Sequence, residues 1–171
     1  MIYKFLDIVK EMLPALIVAS TAYYFFQLFF KNENSRRKFQ LQKDFQKETL
    51  PLQLQAFERL ALFLERINPA KILIRVAPYN DNANDYEALI IHTIEQEFEH
   101  NLTQQIYVSD DCWTIINTAK NTTIQWIRKS NTNGSNAQQL RENILSKMVD
   151  IQPPTHAALQ YLKTEVKQIL S

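Results

Sequence analysis

Residues 12–38 read MLPALIVASTAYYFFQLFFKNENSRRK: nineteen positions without a charge, Met12 to Phe30, and then four cations within eight residues. At 1.5 Å per residue a helix over the uncharged run is roughly 28 Å long, close to the ~30 Å hydrocarbon thickness of a bilayer. Gln27 is its only strongly polar side chain. Tyr23, Tyr24, Phe25, Phe26, Phe29 and Phe30 thicken the end beside the cations, where interfacial aromatics collect. Pro14 falls in the first turn, where its missing N–H matters least. The stretch predicts a transmembrane helix over 12–30.

Two other readings compete with this one. A secretion signal needs a basic leader and a small-residue cleavage site, but MIYKFLDIVKE balances Lys4 and Lys10 against Asp7 and Glu11. A buried soluble helix seldom needs so long a run that is apolar on every side. Orientation follows from the flanking cations. Lys31, Arg36, Arg37, Lys38, Lys43 and Lys47 follow the run, whereas only Lys4, Lys10 and the amine precede it, so the C-terminal side is expected to be cytoplasmic. Lys31, Arg36, Arg37 and Lys38 are the expected contacts with anionic headgroups, worth about 1 kcal/mol each near the surface. Residues 1–11 place Ile2, Phe5, Leu6 and Val9 at helical spacing, an amphipathic segment for the outer face or an extension of the span.

The remainder reads as all-α. One glycine in 171 residues leaves little use for hairpins or phosphate-cradling loops, while Leu, Gln, Lys, Glu and Ala dominate. A basic juxtamembrane helix over 31–50 is expected to lead into a cytoplasmic helical bundle over 51–171. At Pro51 the helix either kinks or restarts with Thr49 as its cap. Beyond it Leu50, Leu54, Phe57, Ala61 and Leu64 recur by four and three, and Leu52, Ala56, Leu60, Phe63 and Ile67 widen the stripe, with a homodimeric coiled coil as an alternative. Asn68-Pro69 reads as a stop and recap, and AKILIRVA as a short helix or a strand. Asn84 and Glu87 predict a capping box opening a helix to about Ile106, with Ile90, Ile91, Ile94, Phe98 and Leu102 inward. Ser109 predicts the cap of a helix to Ser130, Ser135 with Gln138 the next start, and Pro153-Pro154 the break before the last helix.

No residue set compels a chemistry. Glu97-Phe98-Glu99-His100 has the Glu-x-x-His spacing of di-iron bundles, but those sites need two such motifs and this chain has one. Cys112 sits mid-stripe like a small core residue, with no base beside it. Trp126, Arg128 and Lys129 fall short of a nucleic-acid surface at a net charge of +1. No catalytic residue, cofactor, metal or nucleic-acid partner is expected. Residues 76–119 hold eight acids and no Lys or Arg. That asymmetry predicts structural ion pairs between Arg59 or Arg66 and carboxylates such as Glu95 and Glu99.

The stretches LPALIVASTAYYFF, LPLQLQAFERLALFLERINPAKILIRV and EFEHNLTQQIYVSDDCW resemble an uncharacterised family of small single-pass proteins from Bacteroidota. That resemblance implies a bacterial inner-membrane location and carries over no catalytic residue. The expected function is a non-catalytic, membrane-tethered helical adaptor or accessory subunit of an inner-membrane assembly, in contact with lipid and with a protein partner or a second copy. The alternatives are a metal-dependent enzyme using Glu97 and His100 with Glu95 or His92, and an anionic-lipid sensor working through Arg36, Arg37 and Lys38.

Overall fold

The structure, a computed structural model, describes residues 2–170, apart from the side chains of residues 2–11, Ala15 and Gln46. The expected amphipathic face of Ile2, Phe5, Leu6 and Val9 falls on those side chains and lies outside the described residues. The described chain is helical: α1 spans Ile2–Arg66, α2 Pro69–Arg75, α3 Ala83–Asn101, α4 Asp110–Ser130, α5 Ala137–Asp150 and α6 Pro154–Leu170, with a 3-10 turn at Leu102–Tyr107. Among the described residues there is no strand, and one isolated antiparallel bridge joins Asn82 and Asn136. The fold is all-α, as the composition predicts. It divides into two compact units, Met1–Thr49 and Leu50–Ser171.

In the first unit the described side chains from Met12 to Phe30 are all exposed. This is the one described helix long and apolar enough to cross a membrane, and none of its apolar window is buried among the described residues. Its polar groups are answered locally. The Thr21 hydroxyl donates to the carbonyls of Ile17 and Val18, at 2.8 and 2.9 Å, and Gln27 Nε2 donates to the Tyr23 hydroxyl at 2.8 Å. Thr49 does not open a new helix. Its hydroxyl donates back to the Phe45 carbonyl at 2.8 Å, as a threonine inside a helix does, and the backbone stays helical through Pro51.

The second unit is built on the last turns of α1. Ala56, Phe57, Leu60, Phe63, Leu64 and Ile67 are fully buried, while Glu58 and Arg59 face water, as the stripe predicts. Leu52 and Leu62 lie outside that buried arc and are exposed. Asn68 caps α2 by accepting from the Ala70 N–H at 3.1 Å, with Pro69 in the first helical position, which settles residues 69–75 as helix. Ile72 and Leu73 then join the core beside Ile90 and Ile94 of α3, Ile116 and Ile127 of α4, Leu140 and Ile144 of α5, and Ala158 and Leu162 of α6. Tyr86 is wholly buried and donates its hydroxyl to the Val76 carbonyl at 2.7 Å, a core member that the sequence reading missed.

Three expected boundaries move. The cap of α3 is Asn82, whose Oδ1 accepts from the N–H groups of Asn84 and Asp85. The predicted box residues Asn84 and Glu87 instead both accept from Asn131 Nδ2, at 2.8 and 2.7 Å. Helix α3 ends at Asn101 rather than Ile106. There Asn101 Nδ2 competes for the Glu97 carbonyl at 2.7 Å, and the chain tightens to a 3-10 turn that turns Leu102 outward. The start of α5 shifts by one residue from the expected Ser135 and Gln138: Asn136 and Gln139 form a reciprocal capping box. Just before it Gly134 takes φ +81°, the left-handed conformation that makes this the right place for the glycine.

The packing makes a quantitative contrast on adjacent residues. Phe63→Ala removes a ring from the filled core and is expected to cost about 3–5 kcal/mol. Leu62→Ala, on the open side of the same turn, is expected to stay within about 0.5 kcal/mol. Thermal melts of the full chain in mild detergent check the difference, and equal losses would place the core elsewhere.

Candidate functional site

Glu95, Glu97 and Glu99, with His92 and His100, lie on α3, a helix without Lys or Arg. Two flanking cations reach one carboxylate. Arg66, the last residue of α1, holds Glu97 Oε2 at 3.0 Å, and Arg75, the last of α2, approaches Glu97 Oε1 at 3.4 Å. Both arginines thus sit at helix C-termini, where a cation also complements the helix dipole. Glu97 is mostly buried, whereas Arg66 and Arg75 keep part of their side chains in water.

One turn away Glu95 takes a different partner. Lys120 of α4 reaches Glu95 Oε2 at 2.8 Å, and its ammonium also lies 4.5 Å from the centre of the Phe98 ring. Phe98 stacks on Trp113 at 5.4 Å and meets Phe63 at 5.8 Å, so one ring joins α1, α3 and α4. Cation–π attraction and the ion pair together hold a lysine that is itself buried. Lys120 was missed in the sequence, although it follows Ile116 by four residues and so falls on the core stripe.

The expected pairs therefore fall out unevenly. Arg66 does meet a carboxylate of α3, but that carboxylate is Glu97; Glu95 meets Lys120 rather than an arginine. Arg59 and Glu99 are exposed and make no ion pair among the described residues. Lys31, Arg36, Arg37 and Lys38 are exposed, and Arg37 pairs along its own helix with Glu33 at 3.4 Å.

The single Glu-x-x-His motif is not brought together as a ligand set. Both oxygens of Glu97 face arginines, His100 is exposed, and among the described residues no group of three His, Cys, Asp or Glu side chains could hold a metal ion. His92 lines a shallow groove of about 450 Å³ with Asn84, Glu87, Ala88, Ile91, Glu95 and Arg128. The groove mixes both charge signs and lacks the convergent donors that define a ligand site.

Ser109 caps α4 as predicted, its hydroxyl accepting from the Cys112 N–H at 3.1 Å. Its own N–H and hydroxyl donate to the two oxygens of Glu165 on α6, each at 3.0 Å. Burial, reinforced by this Glu165 carboxylate, pushes the Cys112 thiol from its ordinary 9.0 up to about 12. A nucleophilic cysteine needs the opposite shift, so this thiol is a core group.

A family model described as a family of unknown function (DUF7935) matches residues 3–169. No curated protein and no solved structure matches the chain.

The Cys112 environment predicts a pH dependence. The unfolded chain loses the thiol proton near pH 9 and the folded chain near 12, so the stabilisation is complete below pH 9 and drains away as pH rises toward 12. Each pH unit in that window removes up to about 1.4 kcal/mol. Melting curves at stepped pH should show this slope, and Cys112→Ala should make it shallower. An unchanged slope would mean that the thiol is not protected.

Proposed function

The chain belongs to this family of unknown function, and from that premise we propose that it is a membrane-tethered helical adaptor, a non-catalytic accessory subunit of a bacterial inner-membrane assembly. The observation that carries the reading is the charge-free helical stretch from Met12 to Phe30, whose described side chains are all exposed and which is followed by Lys31, Arg36, Arg37 and Lys38. In water, so many exposed Phe, Leu, Ile and Val side chains would be strongly unfavourable at about 25 cal/mol per Å². Lipid removes that cost.

The cations set the proposed orientation, with the segment before Met12 periplasmic and residues 31–171 cytoplasmic. The similarity of LPALIVASTAYYFF and EFEHNLTQQIYVSDDCW to small single-pass proteins of Bacteroidota supports the same membrane and a source in that group. The non-catalytic part of the proposal is supported by what the polar groups do. Glu97, Glu95 and Lys120 are occupied with one another or with arginines, and Cys112 is held protonated. What remains to offer is surface, for another membrane protein or a second copy.

A second reading keeps the tether and gives the cations the function. Arg36, Arg37 and Lys38 are exposed on successive positions of one helix, and an anionic-lipid sensor would use them so. Vesicle binding that ignores both anionic lipid and salt would remove that reading.

The tether itself is tested by fractionation and topology. The full chain should stay with membranes through alkaline carbonate washing. A phosphatase reporter active only in the periplasm should be silent when fused after Leu170 and active when fused before Met12. Release by carbonate, or an active reporter at the C-terminal end, would overturn the proposal.

A further inference from the structure

The span holds one amide, and its position decides what should lie against it. Gln27 sits three residues before the end of the apolar run at Phe30, close enough to the interface for a long side chain to reach headgroups if it pointed that way. It points the other way. Side chains of a helix lean toward its N-terminus, and Gln27 Nε2 is turned back onto the Tyr23 hydroxyl, four residues deeper, at 2.8 Å. One N–H of the amide is thereby used. The second N–H, the amide carbonyl and the Tyr23 O–H make no hydrogen bond among the described residues, and both side chains are exposed. Thr21, by contrast, satisfies its hydroxyl on its own backbone.

We infer that this face binds a second copy of the same chain, side by side in the membrane, through reciprocal hydrogen bonds between the Gln27–Tyr23 pairs. The inference rests on the tether reading above. In hydrocarbon an amide carbonyl with no donor is costly, and among the described residues no second helix is long and apolar enough to provide one. A primary amide carries both donor and acceptor, so the same group on a twofold-related helix is its complement in both directions. Such a contact needs the backbones to approach. At 100° per residue Ala19, Ser20, Tyr23 and Gln27 fall within an arc of about 100°, and the two small residues lie about one turn from Tyr23 and two turns from the amide. Phe25 lies on the opposite side of the helix, where large apolar rings suit lipid.

The test uses the full chain. Flotation with phosphatidylcholine–phosphatidylglycerol vesicles comes first, followed by sedimentation equilibrium in density-matched micelles over a range of protein-to-detergent ratios. The wild type should float and form dimers. Gln27→Leu should float equally well but dimerise roughly three- to twentyfold more weakly, the range that interhelical side-chain hydrogen bonds give in membranes. Gln27→Asn, which keeps the amide, should retain most of the association, and Phe25→Leu should leave it unchanged. A floating wild type that is monomeric at every ratio, or Gln27→Leu dimers as tight as wild type, would overturn the inference and leave the tether standing. A wild type that fails to float overturns the tether and the inference with it.

Discussion

One helix in this protein has two different surroundings. From Ala56 to Ile67 the side of α1 that carries Phe57, Leu60, Phe63 and Leu64 is closed off by the rest of the second unit. From Met12 to Phe30 the described side chains are exposed, although they are at least as apolar. By length and composition this run matches the hydrocarbon thickness of a bilayer, which the buried face of the second unit does not need.

The second unit shows how a bundle accommodates a strongly acidic helix. Residues 76–119 carry all their formal charge as carboxylates, yet the cations come from just outside, at positions 66, 75 and 120. Arg66 and Arg75 end their helices beside Glu97, which makes one carboxylate a tie between the tips of α1 and α2 and the middle of α3. Phe98, the next residue, works through its ring on Phe63, Trp113 and Lys120. Two of the eight carboxylates of the acidic stretch, Glu95 and Glu97, are thus paired within the unit.

Much of this fold could be read in advance because its signals are local. Asn68-Pro69, Ser109 and the stripe from Phe57 to Ile67 each act over one or two turns, and the structure places them as spacing requires. The misreadings have physical causes of the opposite kind. YNDNAND offers several side chains able to cap, and the choice of Asn82 depends on Asn131, more than forty residues away, which takes Asn84 and Glu87 for itself. Leu102 matched the inward period, but the Asn101 amide ends the helix one residue earlier. Lys120 was missed because a sequence does not show that Glu95 and the Phe98 face lie opposite it. The ion-pair cluster was legible as a need for arginines against α3, and its partners were not, since geometry alone distinguishes Glu97 from Glu95 and Glu99. Family membership adds no activity to this picture, so the argument about function rests on where each polar group is already engaged.

Both tryptophans of the chain, Trp113 and Trp126, lie on α4 inside the second unit, whereas the uncovered run holds tyrosines and phenylalanines. Trp113 is stacked on Phe98 with an ammonium nearby, and the Trp126 indole N–H is buried without a hydrogen-bond partner. Indole emission excited at the red edge of absorption therefore reports on this unit alone. The molecule carries a built-in optical separation between its two environments: loss of tertiary packing shifts the emission, and changes confined to the residues around Tyr23 and Tyr24 leave it silent.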